Sequence, residues 1–118
     1  METKEIASRL IELCNQGKWD QAQEELYAEN CISIESPTGK EDNIVKGMKA
    51  IHAKGEEWAA SVETMHGGNI TDLVVTPNNF SFRQTIDATF KGMGRVTMEE
   101  ISVYTVQDGK IVREQFFY

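Results

Sequence analysis

Little in this 118-residue sequence is suited to cross-linking, to spanning a bilayer or to gripping nucleic acid. Its two cysteines, Cys14 and Cys31, fall in different expected elements, so no disulfide framework underlies the fold. No stretch approaches the roughly 18 consecutive apolar residues that a membrane helix needs, and the opening METKEIASRL lacks the apolar core of a signal peptide. The expectation is a cytoplasmic protein with reduced thiols and no membrane partner. Basic residues are scattered, and Lys and Arg number 12 against 19 Asp and Glu, a net charge of −7. Nucleic-acid binding needs clustered cations to neutralise phosphates, so that partner is not expected. With two histidines and no ligand spacing of the zinc or calcium kind, neither a metal nor another cofactor is expected.

What is present fits one domain over residues 1–118, with 40% hydrophobic residues and a chain able to bury about 60–70% of its unfolded surface. Ile6, Leu10, Leu13 and Cys14 recur at helical spacing and predict a first helix that stops near Gly17. Trp19, Ala22, Gln23, Leu26 and Tyr27 repeat the pattern, which makes a helical hairpin closed by NQGKW. A short alternating strand, Cys31 to Glu35, leads into a loop with Pro37, Gly39 and KEDN. From Gly47 a third helix presents Met48, Ile51, His52, Gly55, Trp58 and Ala59 on one face; Gly55 there suggests close contact with another backbone, and Trp58 reads as core.

After Ser61 the texture changes to segments rich in Val, Ile, Thr, Phe and Tyr, at about Val62 to Thr76, Asn79 to Phe90, Arg95 to Gln107 and Lys110 to Tyr118. TPNN, KGMGR and Asp108-Gly109 separate them, connections too short for anything but antiparallel neighbours. HGGN at His66 to Asn69 marks a bulge in the first of these strands. The GMG of Gly92 to Gly94 lies between strands and is a turn, not a phosphate cradle. Helices followed by an antiparallel meander predict an α+β fold in which the helices cover one face of a curved sheet. Near Ile101 to Val106 both strand faces are apolar, so the outer face is expected to meet a second copy of the chain.

The helical hairpin, YAENCISIESPTG, the glycine-started third helix and the closing VYTVQDGKIVREQFFY together resemble the nuclear-transport-factor-2-like superfamily, specifically its SnoaL-like and ketosteroid-isomerase-like members. The resemblance covers essentially the whole chain. It implies a conical, cystatin-like barrel whose curved antiparallel sheet wraps around the helices, a pocket for a small apolar ligand, and a homodimer through the outer sheet face. Members range from isomerases, cyclases and dehydratases to non-catalytic binding modules, so the fold alone does not assign an activity. At the places of the isomerase tyrosine, aspartate base and protonated aspartate, the resemblance puts Leu10, Ser36 and Ser102. None of these can do that work: Leu10 donates no hydrogen bond, and a serine without a neighbouring base is neither base nor nucleophile near neutral pH.

Any chemistry would therefore come from elsewhere. Glu100, Ser102 and Tyr104 share one strand parity, and the last strand aligned beside them presents Glu114, Phe116 and Tyr118 to the same side. Glu100 and Glu114 are the candidate acid/base pair; the competing reading has them solvated at the rim or paired with Arg113 or Arg95. Ser36, Trp58, Gln84, Ser102, Tyr104, Phe116 and Tyr118 are the candidate ligand contacts, with Gln84 a polar exception on the face formed by Phe80, Phe82, Ile86, Ala88 and Phe90. Glu35, adjacent to Ser36, is expected to point the other way. His66 is read as a surface or pocket-mouth residue, His52 as structural and Cys14 as core. Two functions remain open: a binding protein with cofactor-free isomerase, cyclase or dehydratase chemistry, and a non-catalytic dimeric module.

Overall fold

The chain is described by a computed structural model over residues 1–35 and 43–118; Ser36, Pro37, Gly39 and most of KEDN lie outside the described residues. Its elements run α1 (Thr3–Asn15), α2 (Trp19–Leu26), β1 (Tyr27–Ile34), β2 (Ile44–Lys46), α3 (Met48–Ser61), β3 (Val62–Val75), β4 (Asn79–Phe90), β5 (Gly94–Gln107) and β6 (Lys110–Phe117). The α+β arrangement and the four long strands follow the turn chemistry. Asp108 and Gly109 both take positive φ, 52° and 75°, as a tight two-residue hairpin turn requires.

The hydrophobic stripe of α1 buries Ile6, Ala7, Leu10 and Leu13, and Gly17 at φ 72° turns the chain back into α2. Arg9 donates from Nε and Nη2 to the two carboxylate oxygens of Glu25, at 2.9 and 2.8 Å, which clamps the two helices from outside. That guanidinium holds the Glu25 carboxyl down to about 2. Helix α2 ends before Tyr27, which belongs to β1 rather than to the helical face predicted for it. Its ring is buried and its backbone pairs with β6, interactions that outweigh the helical spacing.

One sheet holds all six strands in the order β2-β1-β6-β5-β4-β3. Every neighbouring pair is antiparallel except β1 and β6, which run parallel with Ser33 opposite Glu114 and Ile34 opposite Gln115. The short-connection rule does not reach that pair, because most of the chain separates the two strands. The three-residue strand β2 is too short to leave a periodicity, and it pairs through Ser33 opposite Val45.

Strand β3 shifts register between Met65 and Gly67, where the HGGN bulge was expected, and again at Val62/Thr64 and Thr71/Val74. Such bulges bend a strand and increase its twist. At Gly68 an added Cβ would lie 3.1 Å from the Thr85 carbonyl oxygen, a tight contact that a side chain could make only if the neighbouring strand gave by a few tenths of an ångström. The sheet curls over the helices, and the core joins Ile6, Leu13, Leu26 and Ile51 to Phe80, Phe82, Tyr104 and Ile111. Phe80 stacks on Tyr104 with ring centroids 4.7 Å apart. On the convex side Ile101 and Phe117, neighbours in register, are 54% and 40% exposed.

Gly47 sets where α3 enters. Its φ of 89° lies in the left-handed region, its N–H donates to the Cys31 carbonyl at 2.8 Å, and its own carbonyl accepts the first helical hydrogen bond from Ile51 N–H. A side chain there meets no backbone closer than Glu29 O at 3.8 Å, so the cost of replacing the glycine is conformational. Gly47→Ala is expected to lower unfolding free energy by on the order of 1–2 kcal/mol, read from urea denaturation. An unchanged midpoint would show that α3 tolerates another entry geometry.

Candidate functional site

Between the concave sheet face and α1, α2 and α3 lies a cavity of about 840 Å³. That is within the range of ligand pockets, roughly 300–1,000 Å³. Of the residues singled out in the sequence, Trp58, Gln84, Glu100, Tyr104, Glu114, Phe116 and Tyr118 all line it. Ser36 lies outside the described residues. Ser102 is fully buried on the same strand face and does not form part of the lining; its Oγ makes no hydrogen bond of ordinary geometry among the described residues, though it sits near enough to Glu100 and Tyr104 to favour their charged forms.

The deepest polar group is Glu114 on β6, 4% exposed. The Tyr27 hydroxyl donates to its Oε2, and the Ser33 hydroxyl donates to its Oε1 at 2.8 Å. Ser33 in turn accepts from Lys54 Nζ at 2.6 Å, and Lys54 Nζ also lies 2.6 Å from Glu35 Oε1. Tyr118 donates to the other Glu35 oxygen at 3.1 Å. A single chain of contacts thus runs from the buried Tyr27 through Glu114, Ser33, Lys54 and Glu35 to the C-terminal tyrosine. Lys54 also stands 5.4 Å over the Phe116 ring.

Two of these placements correct the sequence reading. Glu35 faces the cavity, because Ser33 is the fully buried residue of this stretch and Glu35 shares its parity. Gly55 touches no other backbone: an added Cβ would meet nothing within 4 Å, and the residue borders the cavity. Nor do the arginines reach the candidate carboxyls. Arg95 binds Asp87, and Arg113 donates to Gln115. His66 is exposed, with Nε2 2.7 Å from Thr89 Oγ1, and lines no part of the cavity. Cys14 packs against the core and also borders the cavity, where burial pushes its thiol up to about 12.

Lys54, Ser33 and Tyr27 were not foreseen. Lys54 carried a usable signal: it falls between Ile51 and Trp58 at helical spacing, so a lysine sits within the arc of the apolar stripe. The roles of Ser33 and Tyr27 depend on the parallel β1–β6 pairing, which local sequence does not announce.

Electrostatically the two carboxyls differ. Burial raises Glu114, a rise only partly offset by the hydroxyls of Tyr27 and Ser33 that favour its ionised form. Both of its oxygens are occupied. Glu100 on β5 is pushed up to about 7, first by burial and then by the charges of Glu35 and Glu114. It has no ion-pair partner among the described residues, and Gln84 is its cross-strand neighbour. Burial also raises the Tyr27 and Tyr104 phenols, and the Glu114 charge adds to this, so both remain protonated hydrogen-bond donors near neutral pH. Among the described residues no group of three or more His, Cys, Asp or Glu side chains is placed to hold a metal ion, and no helix is long and apolar enough to cross a membrane.

The profile of the SnoaL-like domain family matches residues 1–118. The chain belongs to the SnoaL-like family. A solved structure from Mesorhizobium loti, provisionally assigned as a SnoaL-like polyketide cyclase and carbohydrate phosphatase, shares 36% identity over 100% of both chains with a TM-score of 0.91. A Xanthomonas campestris protein of unknown function with a cystatin-like fold matches at 15% identity over 99% of this chain and 90% of its own, with a TM-score of 0.83. A provisional isomerase from Bacillus subtilis gives 17% identity over 96% and 83%, with a TM-score of 0.74. These last two likenesses concern the fold alone. No curated protein matches the sequence.

Two expected outcomes follow from this SnoaL-like cavity. Gly55→Ala should raise stability by up to about 1 kcal/mol, the helix-propensity difference, because the added methyl enters open space; a loss on urea denaturation would show a packing role instead. The second concerns pH. Glu100 holds its proton to about pH 7 in the folded chain against an ordinary value of 4.5, so the folded state binds more protons in that window and the Glu100 contribution to stability falls as pH rises through it. Glu100→Gln, which cannot ionise, should show a shallower decline between pH 5 and 8. At pH 8 it should exceed the wild type by on the order of 2 kcal/mol, taking about 1.4 kcal/mol per pKa unit and discounting for partial solvent access. Parallel slopes in the two proteins would refute the assignment.

Proposed function

We propose that this SnoaL-like protein binds a small, largely apolar molecule in the cone and acts on it by cofactor-free proton transfer, of isomerase, cyclase or dehydratase type, with Glu100 as the general acid/base. One observation carries the reading: a carboxyl on the cavity wall, without an ion-pair partner among the described residues and pushed up to about 7. A group that titrates near the working pH both accepts and returns a proton efficiently, and such a residue contributes about 10² to 10⁴ in rate. Glu114 anchors the hydrogen-bonded floor and has no free oxygen to offer a substrate. Tyr104, Gln84 and Phe116 supply the adjoining wall. The Mesorhizobium loti relative's provisional cyclase assignment is compatible with chemistry of this class.

The test is a thermal-shift panel of apolar ring compounds, including phenolic polyketide-like rings and steroid ketones, on the wild type and Glu100→Gln, followed by turnover assays on the stabilising class. Stabilisation by one class, with turnover reduced at least about 100-fold in the variant, is expected. Binding with equal turnover in both proteins would remove Glu100 from the mechanism. The absence of ionisable side chains at Leu10 and Ser102 favours the second reading, a binding module without chemistry. That reading predicts ligand stabilisation with no turnover in either protein.

We also propose that the convex face around Ile101 and Phe117 pairs with a second copy of the chain. These two large apolar side chains lie side by side in register and are about half exposed. Ile101→Asp is expected to convert a dimer to a monomer in multi-angle light scattering. A wild type that is monomeric at all concentrations would refute the pairing.

A further inference from the structure

The cavity has a pronounced imbalance of charge. Glu100, Glu35, Glu114, Glu57 and Asp20 all border it, whereas Lys54 is its one ammonium among the described lining residues. That ammonium is already engaged, 2.6 Å from Glu35 Oε1 and 2.6 Å from Ser33 Oγ. An anionic ligand would have to enter among carboxyl groups without a free cation to meet it.

The remaining surface suits the opposite charge. Trp58, Tyr104, Phe116 and Tyr118 line the same space; Lys54 already stands over the Phe116 ring, and Phe80 stacks on Tyr104. Aromatic rings attract a cation through the negative potential of their faces, most strongly where water is excluded. On the side of α2, Gln23 also lines the cavity; its Oε1 is buried without a hydrogen-bond partner among the described residues, and an amide oxygen can only accept.

We infer that the ligand is an organic amine: an apolar ring system carrying an ammonium that sits against Glu100 and the surrounding aromatic rings. This rests on the cavity being a binding site, as proposed above, and adds the charge of what it takes. Burying an ammonium is costly unless it is paired, and Glu100 supplies that pair from a wall position no lysine or arginine of the described residues occupies. The charged and titratable groups around Glu100 are Glu35 beyond the end of β1, Glu114 on β6, Tyr104 on its own strand and Lys54 on α3. A cation placed among them favours the ionised form of Glu100, so binding near pH 7 releases a proton.

Three probes of one shape separate charge from bulk: naphthylmethylamine, naphthylmethanol and naphthoate, measured by isothermal titration calorimetry at pH 7 in two buffers of different ionisation enthalpy. The amine is expected to bind at least about tenfold more tightly than the alcohol, with naphthoate weakest and with an apparent enthalpy that changes between buffers in the sense of proton release. In Glu100→Gln the amine should lose its advantage over the alcohol and the buffer dependence should disappear. If that variant does not fold, the wild-type ranking and the buffer dependence still decide. An amine no tighter than the alcohol, or a preference for naphthoate, overturns the inference while leaving the cavity a binding site. Failure of all three probes to bind overturns both readings.

Discussion

A carboxyl buried where two strands meet in parallel is the constraint on which the rest of the site depends. Glu114 is 4% exposed, and a carboxyl so placed is tolerated only if its oxygens are satisfied. Tyr27 and Ser33 satisfy them, and both belong to β1, so the β1–β6 register is also the register of the hydrogen bonds. Ser33 has a further lone pair, which takes Lys54 from α3; Lys54 then reaches Glu35 at the end of β1. Sheet pairing, helix position and the polar floor of the cavity are thus one connected arrangement. Removing one member would leave a buried charge or hydroxyl unpaired, a larger cost than the net worth of any single hydrogen bond in the chain.

The same burial shapes the electrostatics of groups beyond the hydrogen-bond partners of Glu114. Its charge adds to desolvation in raising the Tyr104 phenol and the Glu100 carboxyl. Glu35 adds to the effect on Glu100, and Lys54 opposes it only weakly. The floor is fully hydrogen-bonded and the wall carboxyl is not, and that division assigns the roles. Both oxygens of Glu114 are engaged by hydroxyls, whereas Glu100 forms no ion pair among the described residues and feels Lys54 only weakly.

Much of this was legible in the sequence, and the limits follow from the range of each signal. Turn chemistry is local, so β4 was delimited at Asn79 and Phe90, the Asp108-Gly109 turn was identified, and the HGGN bulge was found. Strand parity is also local, and it set Glu100, Tyr104, Glu114, Phe116 and Tyr118 toward one side, where they line one cavity. The errors share a cause. Tyr27 was read by helical spacing into α2, and Glu35 was read by alternation from Ser36; both depend on β1 pairing with a strand about eighty residues away. Gly55 was read as a packing glycine because local sequence cannot distinguish a position filled by a neighbouring backbone from one left open. Lys54 was not singled out although it falls within the arc of the apolar stripe, and its partners come from β1 and the residue just beyond it.

The vacant isomerase positions take on a definite meaning in this geometry. Leu10 is 2% exposed and part of the core, and Ser102 is wholly buried, so neither place has room for a solvated substitute base. The cone nevertheless keeps its volume, since α3 contributes Gly55 where most helices would place a side chain, at a propensity cost of about 1 kcal/mol that no backbone contact repays. A core free to collapse would fill that space, because dispersion contacts are lost across any void. The opening therefore persists beside a carboxyl pushed up to about 7, against the tendency of an apolar core to close.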